Sequence, residues 1–548
     1  MTTSTDLAAQ RRFGELVAGR VLEARASLLP RLFAKDPTLW VAGDGERREV
    51  VERLGWLDLP VSMADRLTEV ERFAGEVRGA GFRRAVLLGM GGSSLAPDVF
   101  ARLLGCDEGL ALTVLDTTDP EAVLAADEAG DLATTFFLVS SKSGGTVEPN
   151  ALAAYFLERT GGNGAQFAAI TDPGTPLAQL GTARGFRRVF LNPSDIGGRF
   201  SALSLFGLVP AGLVGADVRR ILASAQASRE ECRTPDGPAG QRAARLGALL
   251  ASAAEQGRDK LSFVMPRAYE PFGAWVEQLV AESTGKDGKG VLPVVGETVR
   301  EAEAYGADRV FVALYPPGEK AEPEQRALTA LARAGHPALA LPFDPHTDLG
   351  AAFFEWEVAT ALCGAWLRLN PFDQPNVAES KANTDAVLER FRQGAVPAPA
   401  SAGVPADLGG RFGLWLASVR PADYVAILAY LAPTPAHDAL LARLRAALGA
   451  ATGAAVTVGY GPRCLHSTGQ LHKGGPPSGA FLQIEAEGAR DVDVPGAGYS
   501  FGRLELAQAL GDLEALEGRG RRLLRVRVPA RDLVAAVDAL VGGARRGA

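Results

Sequence analysis

Apolar residues recur at helical spacing through the first part of the chain. The segments LAAQRRFGELVAGRVLEARASLLPRLFA and GERREVVERLGWLDLP both show this pattern, which ends at Pro60. We expect residues 1–62 to form an N-terminal helical arm and not a catalytic unit.

From about residue 63 onward, short apolar runs alternate with helical segments. This alternation is typical of βαβ units and parallel sheets. We therefore expect two three-layer α/β/α domains, residues 63–215 and 216–393. The predicted strands of the first domain lie at residues 83–89, 110–116, 134–141, 166–172 and 187–193. Those of the second lie at 260–266, 308–316 and 338–344.

The end of the chain alternates again, with apolar runs at residues 454–460, 481–487 and 523–529. The Pro- and Ala-rich stretch GAVPAPASAGVPADLGG (394–410) predicts a linker or surface loop. We expect residues 394–548 to form a C-terminal α/β lobe packed on the second domain. The predicted fold class is α/β with parallel sheets.

Composition narrows the functional classes. A chain of 548 residues has room for three or four domains. The net charge of −7 argues against a general nucleic-acid binder, and the absence of a long apolar run argues against a membrane protein. Four cysteines without CxxC spacing argue against a disulfide scaffold and favour the cytosol. The N-terminus lacks the apolar stretch of a signal peptide.

Two predicted strands end in similar loops, GMGGSSLAPDVF (89–100) and KSGGTVEPNAL (142–152). Small and hydroxyl residues that open into a helix at the end of a parallel strand are suited to hold a phosphate. Two tight strand–helix turns without a ligand are the alternative. Neither loop is a Walker A or GxGxxG motif, so ATP and NAD are poor candidates. The candidate ligands are Gly92, Ser93, Ser141, Lys142, Ser143 and Thr146.

Five motifs occur in a distinctive order: GMGGSSLAP, SSKSGGTVEP, SDIGGRFSALSLFGLVP, VAESTGKDGKG and NPFDQPNVAESK. Together they resemble the glucose-6-phosphate isomerase family, which is built from two sugar-isomerase (SIS) domains. The resemblance implies reversible conversion of glucose 6-phosphate and fructose 6-phosphate in glycolysis and gluconeogenesis. It also implies a sugar-phosphate partner, no cofactor and no metal, a cytoplasmic location, and a homodimer as the common assembly.

The N-terminal segment and the C-terminal lobe are most similar to the isomerase half of bifunctional transaldolase/glucose-6-phosphate isomerase proteins. A transaldolase barrel would need a repeating (βα)₈ pattern, which the chain lacks. We therefore expect isomerase activity alone.

Aldose–ketose isomerisation needs a carboxylate base and a cation beside the developing oxyanion. By resemblance, Glu282 in AESTGK is the base, although Thr284 stands where the family usually has Asn. Arg199 in GGRFS would stabilise the enediolate, and Gly198 would let the backbone approach the sugar. A surface glutamate and an ion-paired arginine are the alternatives.

Gln374 and Lys381 are seven residues apart in FDQPNVAESK, about two helical turns. Both could therefore reach one pocket if a helix starts after Pro375. By resemblance, Gln374 binds phosphate or sugar hydroxyls, and Lys381 contacts the ring oxygen during ring opening. A lysine on a helix surface is the alternative.

The catalytic histidine is displaced from its usual place in the family, between the Glu and Lys motifs. The candidates lie after the Lys motif, in RCLHSTGQLHKGG. Aligning the family's QLIHQG with QLHKGG favours His466, and aligning its GQH with GQLH selects His472. We favour His466. The sequence leaves open whether it acts within its own subunit or across a dimer, or whether both histidines are structural.

Two other functions remain open. A dual phosphoglucose/phosphomannose isomerase would use the same fold and residues. A non-catalytic SIS sensor would keep the phosphate loops but would not need Glu282, Arg199 and Lys381 together, and all three are present.

Overall fold

Parallel sheets dominate the computed structural model, which describes residues 4–105, 108–234, 236–318, 321–395, 398–400 and 402–547. Cys106 lies outside these described residues. Three all-parallel sheets follow one another along the described chain, which confirms the α/β class. In the same described ranges, none of the helices combines the length and the apolar character needed to cross a bilayer.

The N-terminal segment is helical and packs on later parts of the chain. Its helices are α1 (Ser4–Glu23), α2 (Leu29–Phe33), α3 (Asp44–Val51), α4 (Leu59–Ser62) and α5 (Leu67–Gly79). Arg20 of α1 donates a hydrogen bond to Ser252 Oγ at 2.8 Å. Trp56 is fully buried against Phe200, so this segment supports the turn that carries Arg199.

The first unit (residues 84–213) holds a five-stranded sheet. Its strands are β1 (Arg84–Leu88), β2 (Ala111–Leu115), β3 (Thr135–Ser140), β4 (Phe167–Thr171) and β5 (Arg188–Leu191). Its helices are α6 (Leu95–Leu104), α7 (Pro120–Glu128), α8 (Val147–Arg159), α9 (Pro176–Ala183) and α10 (Leu205–Leu213). The strand order is β2-β1-β3-β4-β5, so the two glycine-rich loops that follow β1 and β3 are neighbours at one edge.

The second unit (residues 218–367) holds four parallel strands. They are β6 (Lys260–Val264), β7 (Leu292–Val294), β8 (Arg309–Tyr315) and β9 (Ala338–Pro342), in the order β7-β6-β8-β9. The helices are α11 (Val218–Arg233), α12 (Pro238–Glu255), α13 (Glu270–Thr284), α14 (Glu322–Arg333) and α15 (Pro345–Leu367). The sequence predicts only three of these strands. It misses β7, because three residues with a central proline give no periodic signal. Helix α16 (Pro375–Arg392) follows.

The C-terminal lobe (residues 408–547) has a third parallel sheet. Its strands are β10 (Tyr424–Tyr430), β11 (Ala455–Tyr460), β12 (Gly479–Glu487) and β13 (Arg522–Pro529). Its helices are α17 (Leu408–Ala417), α18 (Pro435–Thr452), α19 (Gly469–Gly474), α20 (Phe501–Gly518) and α21 (Leu533–Gly547). The order β11-β10-β12-β13 repeats that of the second unit. The central strand β10 is absent from the sequence prediction.

The C-terminal lobe contacts both earlier units. One face of its sheet packs with α17, α18 and α21 in a core of its own. On the other face, Tyr424 and Phe481 share a core with Leu292 of the second unit. Helix α20 places Phe501 edge-on against Tyr155 of the first unit. The lobe therefore contacts both the second unit and the first.

Candidate active site

Segments from all three units meet beside the turn that follows β1. Gly91 has a φ of +56°, and a Cβ on it would lie 3.0 Å from Gln278 Nε2 and 3.0 Å from the carbonyl oxygen of His466. A Cβ on Gly92 would lie 2.1 Å from the carbonyl oxygen of Gly198. Only glycine fits where backbones approach this closely. The two glycines thus let the first unit, α13 and the loop ahead of α19 close on one another.

Arg199 lies at the centre of this meeting point and is 4 % exposed. Its Nε donates to Ser283 Oγ at 2.8 Å, and its Nη1 donates to Gln374 Oε1 at 3.0 Å. Its Nη2 donates to the carbonyl oxygens of Pro371 at 2.6 Å and Asp373 at 2.9 Å. Burial lowers the pKa of the guanidinium, but an arginine remains charged in proteins. The result is a fixed cation that joins α13 to the loop ahead of α16.

Glu282 lies beside that cation on α13. Its Oε1 is 3.0 Å from Nη1 of Arg199, and its Oε2 accepts a hydrogen bond from Gln278 Nε2 at 3.0 Å. Gln278 is one helical turn earlier on the same face of α13. Its Nε2 also donates to the carbonyl oxygen of His466 at 2.7 Å. Gln278 therefore links the carboxylate to the loop that holds the histidine.

His466 is paired with a buried carboxylate. Its Nε2 lies 2.9 Å from Oε1 of Glu148, which is in the first turn of α8 and 2 % exposed. Burial raises the pKa of Glu148, but His466 and Lys381 together lower it by more, so the pKa lies below its ordinary value. Glu148 is therefore ionised at neutral pH and can accept hydrogen bonds only.

A cavity of about 100 Å³ brings together several of the candidates that were predicted from different motifs. Thr146 and Glu148 at the start of α8, Lys381 on α16, and His466 all line it. Gln374 lies just ahead of α16 at Arg199, and Lys381 lies two turns further along that helix. The seven-residue spacing thus places one residue at the Arg199 cluster and the other in the cavity.

The loop after β3 holds a cluster of hydroxyl groups. Ser141 Oγ donates to Thr146 Oγ1 at 3.2 Å, and the hydroxyls of Ser143 and Thr146 are 3.5 Å apart. The cluster lies directly ahead of α8, at the positive end of the helix dipole. Lys142 departs from the expectation that it binds phosphate, because its ammonium group bonds the carboxylate of Asp172 and the carbonyl of Ser194.

The remaining two loop candidates have different surroundings. Ser93 is buried in the short 3₁₀ turn after β1. At Gly198 a Cβ would meet no heavy atom within 4 Å, so open space adjoins the turn that carries Arg199. The backbone of Gly198 thus has open space beside it, whereas the backbone of Gly92 is closely packed.

His472 is a core residue, and the structure argues against it as a ring-opening group. It is 4 % exposed, its ring stacks on Tyr424 and contacts Phe481 edge-on, and its Nδ1 is 3.0 Å from the Tyr424 hydroxyl. Burial, followed by the charges of Lys473 and Arg521, lowers its pKa to about 3. The imidazole therefore stays neutral at ordinary pH and is part of the packing between α19 and the third sheet.

Comparisons with known proteins agree with this geometry. No protein-family model matches the chain. A curated relative from Synechococcus sp. (strain JA-3-3Ab), named glucose-6-phosphate isomerase, is 30% identical over 444 residues, which is 68% of this chain and 82% of the relative. The chain belongs to the glucose-6-phosphate isomerase family. A relative of the same name from Carboxydothermus hydrogenoformans is 29% identical over 418 residues, 63% of this chain and 87% of the relative.

Two solved structures share the fold. The crystal structure titled hypothetical protein TT0462, from Thermus thermophilus, has a TM-score of 0.57 and 26% identity, and the match covers 71% of this chain and 97% of that one. A glucose-6-phosphate isomerase from Chlamydia trachomatis has a TM-score of 0.51 at 18% identity, over 70% of this chain and 86% of that one. The first match shows a shared fold, and the second shows that a glucose-6-phosphate isomerase has this fold.

Sequence reasoning missed three residues that contact the candidate site: Glu148, Gln278 and Lys286. The buried Lys286 Nζ donates to the carbonyl of Asp373 at 2.6 Å. Burial, then Arg199, lowers the pKa of Lys286 to about 8. The i−4 spacing to Glu282 could have indicated Gln278, and the scarcity of lysine could have indicated Lys286. Over the residues that the structure describes, no cluster of three His, Cys, Asp or Glu is arranged to hold a metal.

Proposed function

We propose that this protein interconverts glucose 6-phosphate and fructose 6-phosphate. The observation that carries the proposal is the Glu282 carboxylate, held 3.0 Å from a buried and fully bonded Arg199 guanidinium. Isomerisation needs this pair, because a base must act where a negative charge develops on the neighbouring oxygen. Membership of the family supports the same reaction.

The phosphate of the substrate binds at the start of α8. The hydroxyls of Ser141, Ser143 and Thr146 cluster directly ahead of the helix, and Thr146, its N-cap residue, makes no side-chain hydrogen bond to the first turn. Helix N-termini attract phosphate through backbone N–H groups and through the helix dipole. Binding there sets the sugar against the cavity lined by Lys381 and His466.

His466 and Lys381 open the sugar ring. Ring opening gives a proton to the ring oxygen and removes one from the anomeric hydroxyl. Because Glu148 only accepts, Nε2 of His466 carries the hydrogen in their 2.9 Å contact, and Nδ1 is left to exchange a proton with the sugar. Lys381 lines the same cavity and supplies the cation at the ring oxygen.

Glu282 then moves the proton between carbons. It takes the C2 proton of the open-chain aldose, and the electron pair moves to O1 to form a cis-enediolate. Arg199 stabilises that charge without releasing a proton. The proton on O2 passes to O1, and Glu282 returns its own proton to C1, which leaves the C2 carbonyl of the ketose; the reverse reaction retraces these steps. Every step uses side chains of this chain.

The test is a coupled assay, in which fructose 6-phosphate is supplied and glucose 6-phosphate formation is followed by NADP reduction. We expect turnover by the wild type and a loss of about 10²–10⁴-fold in Glu282→Gln with substrate binding intact. Glu277→Gln, an isosteric change on the same helix, is the control and should retain activity. Wild-type binding without turnover would contradict the proposal in favour of a sensor, and equal turnover in Glu282→Gln would contradict the base. Mannose 6-phosphate in the same assay tests the broader specificity.

We also propose that one chain, whether or not it forms a homodimer, holds a complete site. Arg199, Glu282, Lys381 and His466, which carry the proposed chemistry, come from a single chain and are joined by the contacts above. A cytosolic location is part of the proposal. The cysteines that the structure describes, Cys232, Cys363 and Cys464, are all buried free thiols.

A further inference from the structure

A series of buried polar groups continues from Glu148, and its first member, Gln508, also lines the cavity. Gln508 of α20 donates from Nε2 to Glu148 Oε1 at 2.6 Å, and the Thr118 hydroxyl donates to Gln508 Oε1 at 2.6 Å. Thr118 is fully buried, and Gln508 and Glu148 are each 2 % exposed. A buried amide with both ends bonded at such short distances is held in one orientation.

The carboxylate determines the direction of each bond in this series. An ionised Glu148 has no proton to give, so Gln508 must present its NH₂ group to it. The amide oxygen of Gln508 then points to Thr118, whose hydroxyl must donate. Oε1 of Glu148 thus accepts from Gln508 on one side and from Nε2 of His466 on the other.

We propose that Gln508 is a positioning residue for ring opening, which acts through Glu148 on His466. This inference rests on the isomerase function proposed above and extends it. The C-terminal lobe then contributes to the site twice, with His466 from the loop ahead of α19 and with Gln508 from α20. Without the amide, Glu148 keeps a buried negative charge with one donor fewer, and it orients the imidazole less well.

Ring opening can be measured apart from isomerisation. The α and β anomers of glucose 6-phosphate interconvert when the ring opens and closes, and this exchange needs no proton transfer at C2. In a Glu282→Gln background, magnetisation-exchange NMR therefore reports ring opening alone. We expect Gln508→Leu to slow the enzyme-dependent exchange about tenfold or more, with unchanged affinity for glucose 6-phosphate.

The matched control is Gln483→Leu. Gln483 is also a buried glutamine of the C-terminal lobe, and its Nε2 donates to the carbonyl of Ala509 at 2.8 Å. We expect this variant to keep the exchange rate. Unchanged exchange in Gln508→Leu, or an equal loss in both variants, would overturn the inference. Failure of the isomerase function would appear separately, as absent turnover in the wild type.

Gln508→Glu is a nearly isosteric variant that protects the test against misfolding. Its carboxylate would meet Glu148, so the loss of exchange should deepen as pH rises and partly recover as pH falls and one proton is shared. The other ionisable groups that face Glu148 are His466, Lys381 and Tyr499. A loss that is independent of pH would contradict the positioning role.

Thr118 tests the outer end of the series. Thr118→Val removes the donor that orients the amide, and we expect a smaller loss of anomer exchange than in Gln508→Leu. Thr118→Ser keeps the hydroxyl and should restore the wild-type rate. Equal rates in the valine and serine variants would show that the amide is oriented without Thr118, and would contradict this part of the inference.

Discussion

In the second unit, the helix that follows the first strand carries Glu282 into the site. The C-terminal lobe repeats the strand order, β11-β10-β12-β13 against β7-β6-β8-β9, but its corresponding helix, α18, packs with α21 in the lobe's own core. The lobe instead contributes through the next connection, from β11 to β12, which carries His466. The corresponding connection in the second unit holds Ala302, which is buried in a separate core beside Phe311.

This difference shows that topology alone does not determine which side chain reaches a shared site. Both sheets offer two connections after their central strand, and the packing of each sheet on its neighbours decides which one faces the first unit. The second unit presents a helix, which suits a carboxylate that must be held firmly by Arg199 and Gln278. The lobe presents a short loop held by backbone contacts, such as the carbonyl of His466 on Gln278.

The largest expected effect separates the two contributions. Glu282→Gln should slow isomerisation by about 10²–10⁴-fold and leave anomer exchange, because the base is not needed for ring opening. His466→Asn should slow anomer exchange by about 10²-fold or more. It should slow isomerisation less, since spontaneous ring opening still supplies open-chain sugar. NMR exchange and the coupled assay measure the two steps. Parallel losses of both activities in both variants would contradict the division of roles.

Mixing two impaired variants tests whether the histidine of the lobe acts in its own chain. Glu282→Gln and His466→Ala chains each lack one group, and a site built across a dimer would recover activity in mixed dimers. Since His466 contacts Glu148 and Gln278 of the same chain, we expect no recovery after the two are unfolded and refolded together. Wild type treated in the same way is the control. Recovered turnover would place the histidine in trans.

The two candidate histidines, His466 and His472, should differ in what they affect. His472 has a pKa of about 3 in the fold, and an unfolded histidine has a pKa of about 6.5. The unfolded chain therefore binds a proton that the fold does not, and stability falls as pH drops from 6.5 toward 3, by about 1.4 kcal/mol per pH unit. Thermal unfolding of His472→Gln should lose this pH dependence, and the variant should keep its isomerase activity.

His466→Gln is the matched control for that measurement. It should keep the loss of stability at low pH and lose most of the anomer-exchange activity, the reverse of His472→Gln. If His472→Gln removed activity while its unfolding remained as steep with pH as that of the wild type, the assignment of the two histidines would have to be exchanged.

The sequence predicts most strands because each is a short apolar run between helices. It misses β10, YVAILAY, which follows the stretch interpreted as a linker, and β7, which is too short to show a pattern. The sheet order of the lobe, and its contact with the first unit through Phe501, depend on packing that no local pattern encodes.

The candidate site is likewise predictable from the sequence only in part. Glu282, Arg199 and Lys381 lie in motifs that the sequence displays. The pairing of His466 with Glu148 joins residues 318 positions apart, and nothing near either residue indicates the other. The sequence also does not reveal that His472 is buried. Helix α19 has only six residues, so its periodicity cannot separate an inner from an outer face.

The smallest expected effect concerns the first unit, which the second unit and the C-terminal lobe both contact. Thr146→Val removes the hydroxyl shared by Ser141 and Ser143, and we expect the KM for fructose 6-phosphate to rise about tenfold, the cost of one hydrogen bond to a charged group, with little change in kcat. Lys142→Met removes an ammonium group that is committed to Asp172, so its KM should change less. A larger KM effect in Lys142→Met than in Thr146→Val would mean that the lysine leaves Asp172 for the phosphate, as the sequence predicts. The loop after β3 would then rearrange when phosphate binds, and the phosphate site would not be preformed.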